Sequence, residues 1–382
     1  MNQMLAALHG EQMGDDDETL QRFYDFVRRT LKGLDNAEAK QGVIVRLYEN
    51  FFAKAFKKMV ERLGIVYTPV EVVDFIIHSV NDVLKKEFGK ELQDRDVHIL
   101  DPFTGTGTFI TRLIQSGLID KEHLPHKYAN EIFANEIVLL AYYIAAVNIE
   151  NAYHDAMNGA RTLLSATGAA SSAVNVAGND LAGGTGDADK SVRAPSYVPF
   201  DGICLTDTFQ LGEDSPPPIA AKETFQRNSE RVERQKNAPL KVIFGNPPYS
   251  VGQTSANDNA QNQKYDHLDN RIAETYAALT TATNKNSLYD SYFKAFRWAT
   301  DRLGDDGGVV AFVSNGSWID GNAQDGFRKC IENEFTSIYV FNLRGNQRTS
   351  GELSRKEGGK IFGSGSRTPI AITILVKKGG GG

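Results

Sequence analysis

Cysteine is nearly missing from this sequence: Cys204 and Cys330 are the only two among 382 residues. Two thiols so far apart have no metal-ligand spacing and cannot build a disulfide framework. A zinc site and a disulfide-stapled scaffold are therefore not expected, and a reducing compartment is. Long apolar runs are missing as well. None reaches the roughly 20 residues of a bilayer-spanning helix, and the N-terminus lacks a signal-peptide pattern. An excess of positive charge is also absent. The formal net charge of −6 argues against coating a nucleic acid nonspecifically. What is present, 41% hydrophobic and 24% charged residues, is the composition of a globular chain able to bury a large core.

Charge is unevenly spread. From Phe341 to Lys378 eight basic residues (Arg344, Arg348, Arg355, Lys356, Lys360, Arg367, Lys377, Lys378) face two acidic ones, Glu352 and Glu357. This segment carries +6 and leaves −12 on the remainder. It is either a solvated surface or a patch facing a polyanion.

Residues 1–18 are polar and acidic and read as a disordered tail. Over 19–63, apolar residues recur at helical spacing (Phe23, Phe26, Val27, Leu31, then Val43, Leu47, Phe51, Phe56), which predicts an N-terminal helical subdomain. At Tyr67-Thr68-Pro69-Val70-Glu71, Thr68 is placed as an N-cap, Pro69 suits the first helical position, and Glu71 completes a capping box for a helix to about Phe88.

The short strand Val97–Leu100 then runs into Asp101-Pro102-Phe103-Thr104-Gly105-Thr106-Gly107-Thr108-Phe109 and an apolar helix. Strand, Gly-rich turn and helix make the opening unit of a doubly wound α/β sheet, which holds ligands at the carboxyl ends of its strands. No third glycine stands at dinucleotide spacing and no Lys-Ser/Thr follows, so neither a dinucleotide fingerprint nor a P-loop fits. A second strand or turn is expected over Ala129–Ala134. Glu136, before an apolar helix, is the candidate carboxylate for a ribose diol, with Glu131 as its rival.

Residues 157–195 are rich in Ala, Gly, Ser and Asn and read as a flexible insertion. The strand Ile203–Leu205 leads to Asp207, which either caps a turn or accepts a hydrogen bond from an adenine amino group. A charged linker is expected over 213–239. Next come the buried strand Val242-Ile243-Phe244, a break at Gly245, and the rigid tip Asn246-Pro247-Pro248-Tyr249. Two prolines fix φ and remove two donors. The side-chain oxygen of Asn246 and the carbonyl of Pro247 form a paired acceptor for an NH₂ group, and Tyr249 offers a flat face for a heterocycle. Residues 250–286 read as a polar loop with one helix, and strands follow at 309–313, 338–343 and 370–376. Glycines 379–382 form a tail.

The Gly turn, Glu136, Asp207 and Asn246-Pro247-Pro248-Tyr249 fall at strand ends in one order. This arrangement resembles the S-adenosylmethionine-dependent methyltransferases, specifically the γ-type N6-adenine DNA methyltransferases, over roughly 64–378. Gly64-Ile65-Val66-Tyr67-Thr68-Pro69, Glu136-Ile137-Val138-Leu139-Leu140-Ala141-Tyr142-Tyr143 and Leu205-Thr206-Asp207-Thr208-Phe209 further resemble the methyltransferase module of Type ISP restriction-modification enzymes. The resemblance implies an α/β, doubly wound, mostly parallel seven-stranded Rossmann-like sheet, with a helical coupler segment before it. It also implies a cytoplasmic bacterial or phage-related protein.

On this resemblance S-adenosylmethionine is the cofactor. Tyr67, Thr68 and Pro69 would contact its methionine end. Asp101, Pro102, Thr104, Gly105 and Gly107 would line its amino-acid moiety, Glu136 its ribose and Asp207 its adenine. Asn246, Pro247, Pro248 and Tyr249 would hold a target adenine flipped out of double-stranded DNA, with no metal. The ATPase, nuclease and target-recognition parts of such enzymes have no counterpart in these residues. Two other readings stay open: methyl transfer to a protein glutamine or an RNA amine, and a non-catalytic scaffold. All rest on one spatial expectation, that the donor pocket and the Asn246 tip lie side by side along one sheet edge.

Overall fold

The computed structural model describes residues 68–158, 197–213, 226–248, 264–304, 306–346, 351–359, 361 and 368–379. The chain divides into units 1–65 and 66–382, and every described residue belongs to the second. The expected tail 1–18, helical segment 19–63, Tyr67, Tyr249 and nearly all of the insertion 157–195 lie outside the described residues.

Among the described residues seven strands form one sheet: β1 (His98–Asp101), β2 (Ile132–Glu136), β3 (Ile203–Leu205), β4 (Leu240–Gly245), β5 (Gly307–Asn315), β6 (Ser337–Arg344) and β7 (Ile370–Lys378), in the order β3-β2-β1-β4-β5-β7-β6. The pairs from β3 to β5 are parallel. β7 runs antiparallel to both β5 and β6, so it alone is reversed. This is the doubly wound, mostly parallel α/β sheet expected from the sequence. A sheet of this kind is buried on both faces and reads as near-continuous apolar runs. Ile99-Leu100, Val242-Ile243-Phe244 and Val309–Val313 are such runs, and all are buried.

Seven helices of eight residues or more occur among the described residues: α1 (Val70–Phe88), α2 (Thr108–Gln115), α3 (Leu139–Asn158), α4 (Gln226–Lys236), α5 (Asp266–Glu274), α6 (Ser291–Arg302) and α7 (Asp325–Glu334). α1 packs on α2, and α2 on α3. Both α1 and α6 pack on β5, which is buried along its whole length.

Three expectations are corrected. The "linker" over 213–239 contains α4. Its sequence, Gln-Arg-Asn-Ser-Glu-Arg-Val-Glu-Arg-Gln-Lys, buries only Gln235, so it gives no apolar period to read. The described part of 250–286 is not a polar loop with one helix: it holds α5 and a short second helix, Tyr276–Leu279, and Tyr265, Leu268, Ile272, Tyr276 and Ala277 are all buried. Finally, Thr68 does not cap α1. The cap position is Pro69, whose carbonyl accepts from Val72 and Val73 N–H, and no side chain closes a capping box.

The amino end of β2 is locked by a buried ion pair. Lys127 is fully buried and its Nζ donates to Glu131 Oε2 (2.7 Å) and to the Asp94 carbonyl (3.1 Å). Burial alone would raise the Glu131 carboxyl. Lys127, the Asp96 N–H (2.9 Å) and His126 (3.2 Å) nevertheless hold it below the usual carboxylate range. Glu131 is thereby committed to structure. Removing one partner of a buried pair strands a charge, so Lys127→Ala is expected to lower unfolding free energy in urea by about 3–5 kcal/mol. The folded mutant should keep an unchanged ligand site, because this pair stands at the opposite end of β2 from Glu136.

Candidate active site

The strand order reverses between β1 and β4, which places the crevice outside their carboxyl ends. Two of the sequence-predicted stretches leave the sheet there. The Gly turn follows β1 and the tip Asn246-Pro247-Pro248 follows β4.

The β1 turn is built on Asp101. Its side chain is fully buried, Oδ1 accepts from the Phe103 N–H (3.0 Å), and its carbonyl accepts from the Thr104 hydroxyl (3.0 Å). Oδ2 is buried and has no partner among the described residues. Thr104 N–H donates across to the Asn135 carbonyl of β2 (2.9 Å). Gly105 and Gly107 have φ of 56° and 87°, a region in which a side chain is strained. Space stands open where a Cβ on Gly105 would sit, whereas one on Gly107 would meet Ala145 Cα of α3 at 3.2 Å. The first glycine thus leaves room for a ligand and the second allows helix α3 to close in.

Glu136 ends β2 and reaches over this turn. Its Oε2 accepts from Gly105 N–H (2.8 Å) and Oε1 from Val138 N–H (2.7 Å). Each oxygen retains a lone pair, which is what a diol requires of a bidentate carboxylate. Burial pushes the Glu136 carboxyl up to about 7 against the pull of those N–H bonds. Burial pushes Asp101 up to about 8, with the nearby Glu136 charge adding to it. Two carboxyls held close in a low dielectric suit a cationic ligand, which would draw both back to the charged form.

Asp207 follows β3. The Thr206 N–H donates to the Glu136 carbonyl (3.0 Å), which fixes this strand end beside the last. Asp207 Oδ1 accepts from Phe209 N–H (3.0 Å), so the turn-capping role is present. Oδ2 accepts from the Tyr265 hydroxyl (2.7 Å). Thr208 Oγ1 donates to the Pro102 carbonyl (2.5 Å) and accepts from Asn135 Nδ2 (3.2 Å), tying three strand ends together. The rings of Phe103 and Phe209 meet at 5.4 Å above this seam.

The tip and the turn touch. A Cβ on Gly245 would stand 2.8 Å from Asp101 Oδ1, so only glycine lets β4 pass this close to the carboxylate. Asn246, the next residue, is half-buried, and its Nδ2 donates to Thr68 Oγ1 (2.9 Å). Thr68 is therefore a brace for the tip, and its donor bond from Nδ2 makes Oδ1 the acceptor end of the Asn246 amide. Pro247 is buried and Pro248 half-buried. The structure thus brings together Thr68, Asp101, Pro102, Thr104, Gly105, Gly107, Glu136, Asp207, Asn246, Pro247 and Pro248. Asn135, Thr208 and Tyr265 were not singled out from the sequence. Among the described residues no cluster of His, Cys, Asp and Glu could hold a metal ion, and no helix is long and apolar enough to cross a membrane.

One expectation follows from the Gly245 contact. Gly245→Ala must displace the Asp101 carboxylate from its Phe103 bond or spread β1 from β4. The expected cost is about 1–3 kcal/mol of stability, measured by denaturant unfolding, and a weaker donor site by titration.

This sheet order and its ring of strand-end residues define the chain as having the fold of the S-adenosylmethionine-dependent methyltransferases. Residues 39–168 match the family model of N-6 DNA methylases. A nuclease-deletion mutant of the Type ISP restriction-modification enzyme LlaGI, in complex with a DNA substrate mimic, is 46% identical over 99% of this chain and 28% of its own, with a TM-score of 0.77. The ATP-dependent Type ISP enzyme LlaBIII bound to DNA is 43% identical over 99% of this chain and 23% of its own (TM-score 0.77). A DrdV–DNA complex is 38% identical over 95% of this chain and 31% of its own (TM-score 0.76). No curated protein sequence matches. The chain belongs to the Type ISP restriction-modification enzymes, as their N6-adenine methyltransferase module. It spans under a third of the length of these relatives.

Proposed function

We propose that this segment transfers a methyl group from S-adenosylmethionine to the N6 amino group of a DNA adenine. The observation that carries the reading is the packing of Gly245 against Asp101, which sets the Asn246 tip directly beside the Gly turn. A donor pocket and an amine acceptor share one edge of the sheet.

S-adenosylmethionine, when bound, supplies an electrophilic methyl group on a sulfonium centre. The residues present fit it. The unpartnered Oδ2 of buried Asp101 and the open turn at Gly105 suit the amino-acid end, and the spare lone pairs of Glu136 suit the ribose. Asp207 suits an adenine amino group, with Thr68 and Pro69 beside the tip. The adenine N6 is a weak nucleophile because its lone pair is delocalised into the ring. Asn246 Oδ1 and the Pro247 carbonyl would accept hydrogen bonds from its two N–H groups, favour a tetrahedral nitrogen and aim the localised lone pair at the donor pocket. One of those protons would leave to water once the nitrogen carries a fourth substituent. Thr68 holds the Asn246 amide in that orientation before substrate arrives. Positioning and preorganised acceptors supply the catalysis, and no covalent enzyme intermediate is needed. The base must leave the duplex first, and Tyr249 stacking on it would offset part of that cost, about 1–3 kcal/mol.

DNA is favoured over protein or RNA because relatives of 46% and 43% identity were solved with a DNA substrate mimic and with DNA. The deciding assay is transfer of a tritiated methyl group to unmethylated genomic DNA, followed by nucleoside analysis. Label is expected in N6-methyladenine. A protein that binds S-adenosylmethionine yet labels no DNA nucleoside, but labels a protein or RNA offered in its place, would overturn the substrate. No binding of S-adenosylmethionine would overturn the enzyme in favour of a scaffold.

A further inference from the structure

Tyr265 has no part in the chemistry described above, yet it is the residue that grips Asp207. It is buried at 7% exposure, immediately before α5. Its position is fixed on several sides. The Phe209 ring meets it edge-on at 5.3 Å, Lys294 Nζ lies 5.2 Å from its ring centroid, and its carbonyl accepts from Asp269 N–H (2.7 Å). Lys294 is itself anchored by Asp269 (2.7 Å). Thus the hydroxyl that donates to Asp207 Oδ2 is delivered by a rigid, packed ring rather than by a loose surface side chain.

We infer that Tyr265 is a positioning residue that sets the site's selectivity for a 6-amino purine on the cofactor, by holding Asp207 as an oriented acceptor. This rests on the proposed function, in which Asp207 faces the cofactor adenine. A carboxylate free to turn about its terminal torsion can meet either a donor or, through water, an acceptor. Here Phe209 N–H fixes Oδ1 and Tyr265 O–H fixes Oδ2, so the remaining lone pairs have set directions. Burial and the Asp207 charge push the Tyr265 hydroxyl well above its ordinary value, so it stays a donor at any working pH. A site built around a fixed acceptor accepts the adenine amino group. It rejects a purine with a carbonyl at the same position, because two acceptors would face each other.

The test uses calorimetric titration of the 382-residue protein with S-adenosylmethionine and with its deaminated inosyl counterpart, in wild type and in Tyr265→Phe. Phenylalanine keeps the ring and its packing and removes only the donor. Wild type is expected to prefer the adenosyl compound. In Tyr265→Phe that preference should shrink by roughly ten- to a hundredfold, the worth of one hydrogen bond to a charged group. A merely structural role would weaken both compounds alike. Unchanged selectivity in a folded Tyr265→Phe would overturn the inference and leave the proposed function standing. Should Tyr265→Phe not fold, Asp207→Asn serves, since its amide can donate to a carbonyl. It is expected to raise relative affinity for the inosyl compound, and no change there would also overturn the inference. A wild type that binds neither compound would overturn the proposed function and this inference with it.

Discussion

Asn246→Ala is expected to lower methyl transfer by at least about 10²–10³-fold, the cost of losing one preorganised contact to the reacting group. It should leave affinity for S-adenosylmethionine nearly unchanged. The reason is geometric. Asn246 lies beyond Gly245 at the end of β4, and its Nδ2 is held by Thr68. The Asp101 carboxylate, the Gly105 turn and the Glu136 bridge are made without it. The measurement pairs single-turnover transfer with equilibrium titration of the cofactor. Equal losses in both would show that the tip and the donor pocket are not separate parts.

Asp101→Asn should separate stability from binding in opposite directions. The folded protein raises the Asp101 carboxyl to about 8 from an ordinary value near 4. Its folded state thus favours the protonated form. That contribution to stability is present below the ordinary value and is lost as pH rises through about 8. The amide of Asn cannot ionise, so the mutant escapes this loss while its Oδ1 still accepts from Phe103. Its unfolding midpoint should therefore gain on wild type between pH 5 and pH 8.5. Affinity for the cofactor should fall by roughly ten- to a hundredfold at pH 8, because a charged acceptor has become neutral. Wild-type affinity itself should weaken below about pH 7, as Glu136 and Asp101 take up protons that a cationic ligand must displace. In the mutant that dependence should be shallower. A mutant less stable than wild type at every pH, with unchanged binding, would contradict the role given to Asp101.

The parts of the fold that positioned the site were legible because burial leaves a plain signature. β1, β4 and β5 each carry an apolar run (Ile99-Leu100, Val242-Ile243-Phe244, Val309–Val313), and the residue that ends each run, Asp101, Gly245 or Ser314, is small or polar. The choice between Glu131 and Glu136 needed the structure. Both are buried acids five residues apart, and only the limits of β2 show that Glu131 precedes the strand and Glu136 ends it. The helix cap expected of Thr68 fails for a related reason. Thr-Pro-Val-Glu satisfies the local rules of a helix start, but its hydroxyl is claimed by a partner 178 residues away. α4 gives no apolar period because the one residue it buries, Gln235, is polar, as are most of those it half-buries. Tyr265 and Thr208 acquire meaning only from neighbours on other strands, which no spacing encodes.

The donor site and the amine-gripping tip stand side by side, and a structure with S-adenosylhomocysteine bound puts that adjacency to the sharpest test. Its ribose is expected on Glu136 and its sulfur facing the Asn246 tip. A methyl rebuilt on that sulfur would lie about 3–3.5 Å from a nitrogen held by Asn246 and Pro247. Density for the ligand elsewhere, or a sulfur turned away from Asn246, would contradict it.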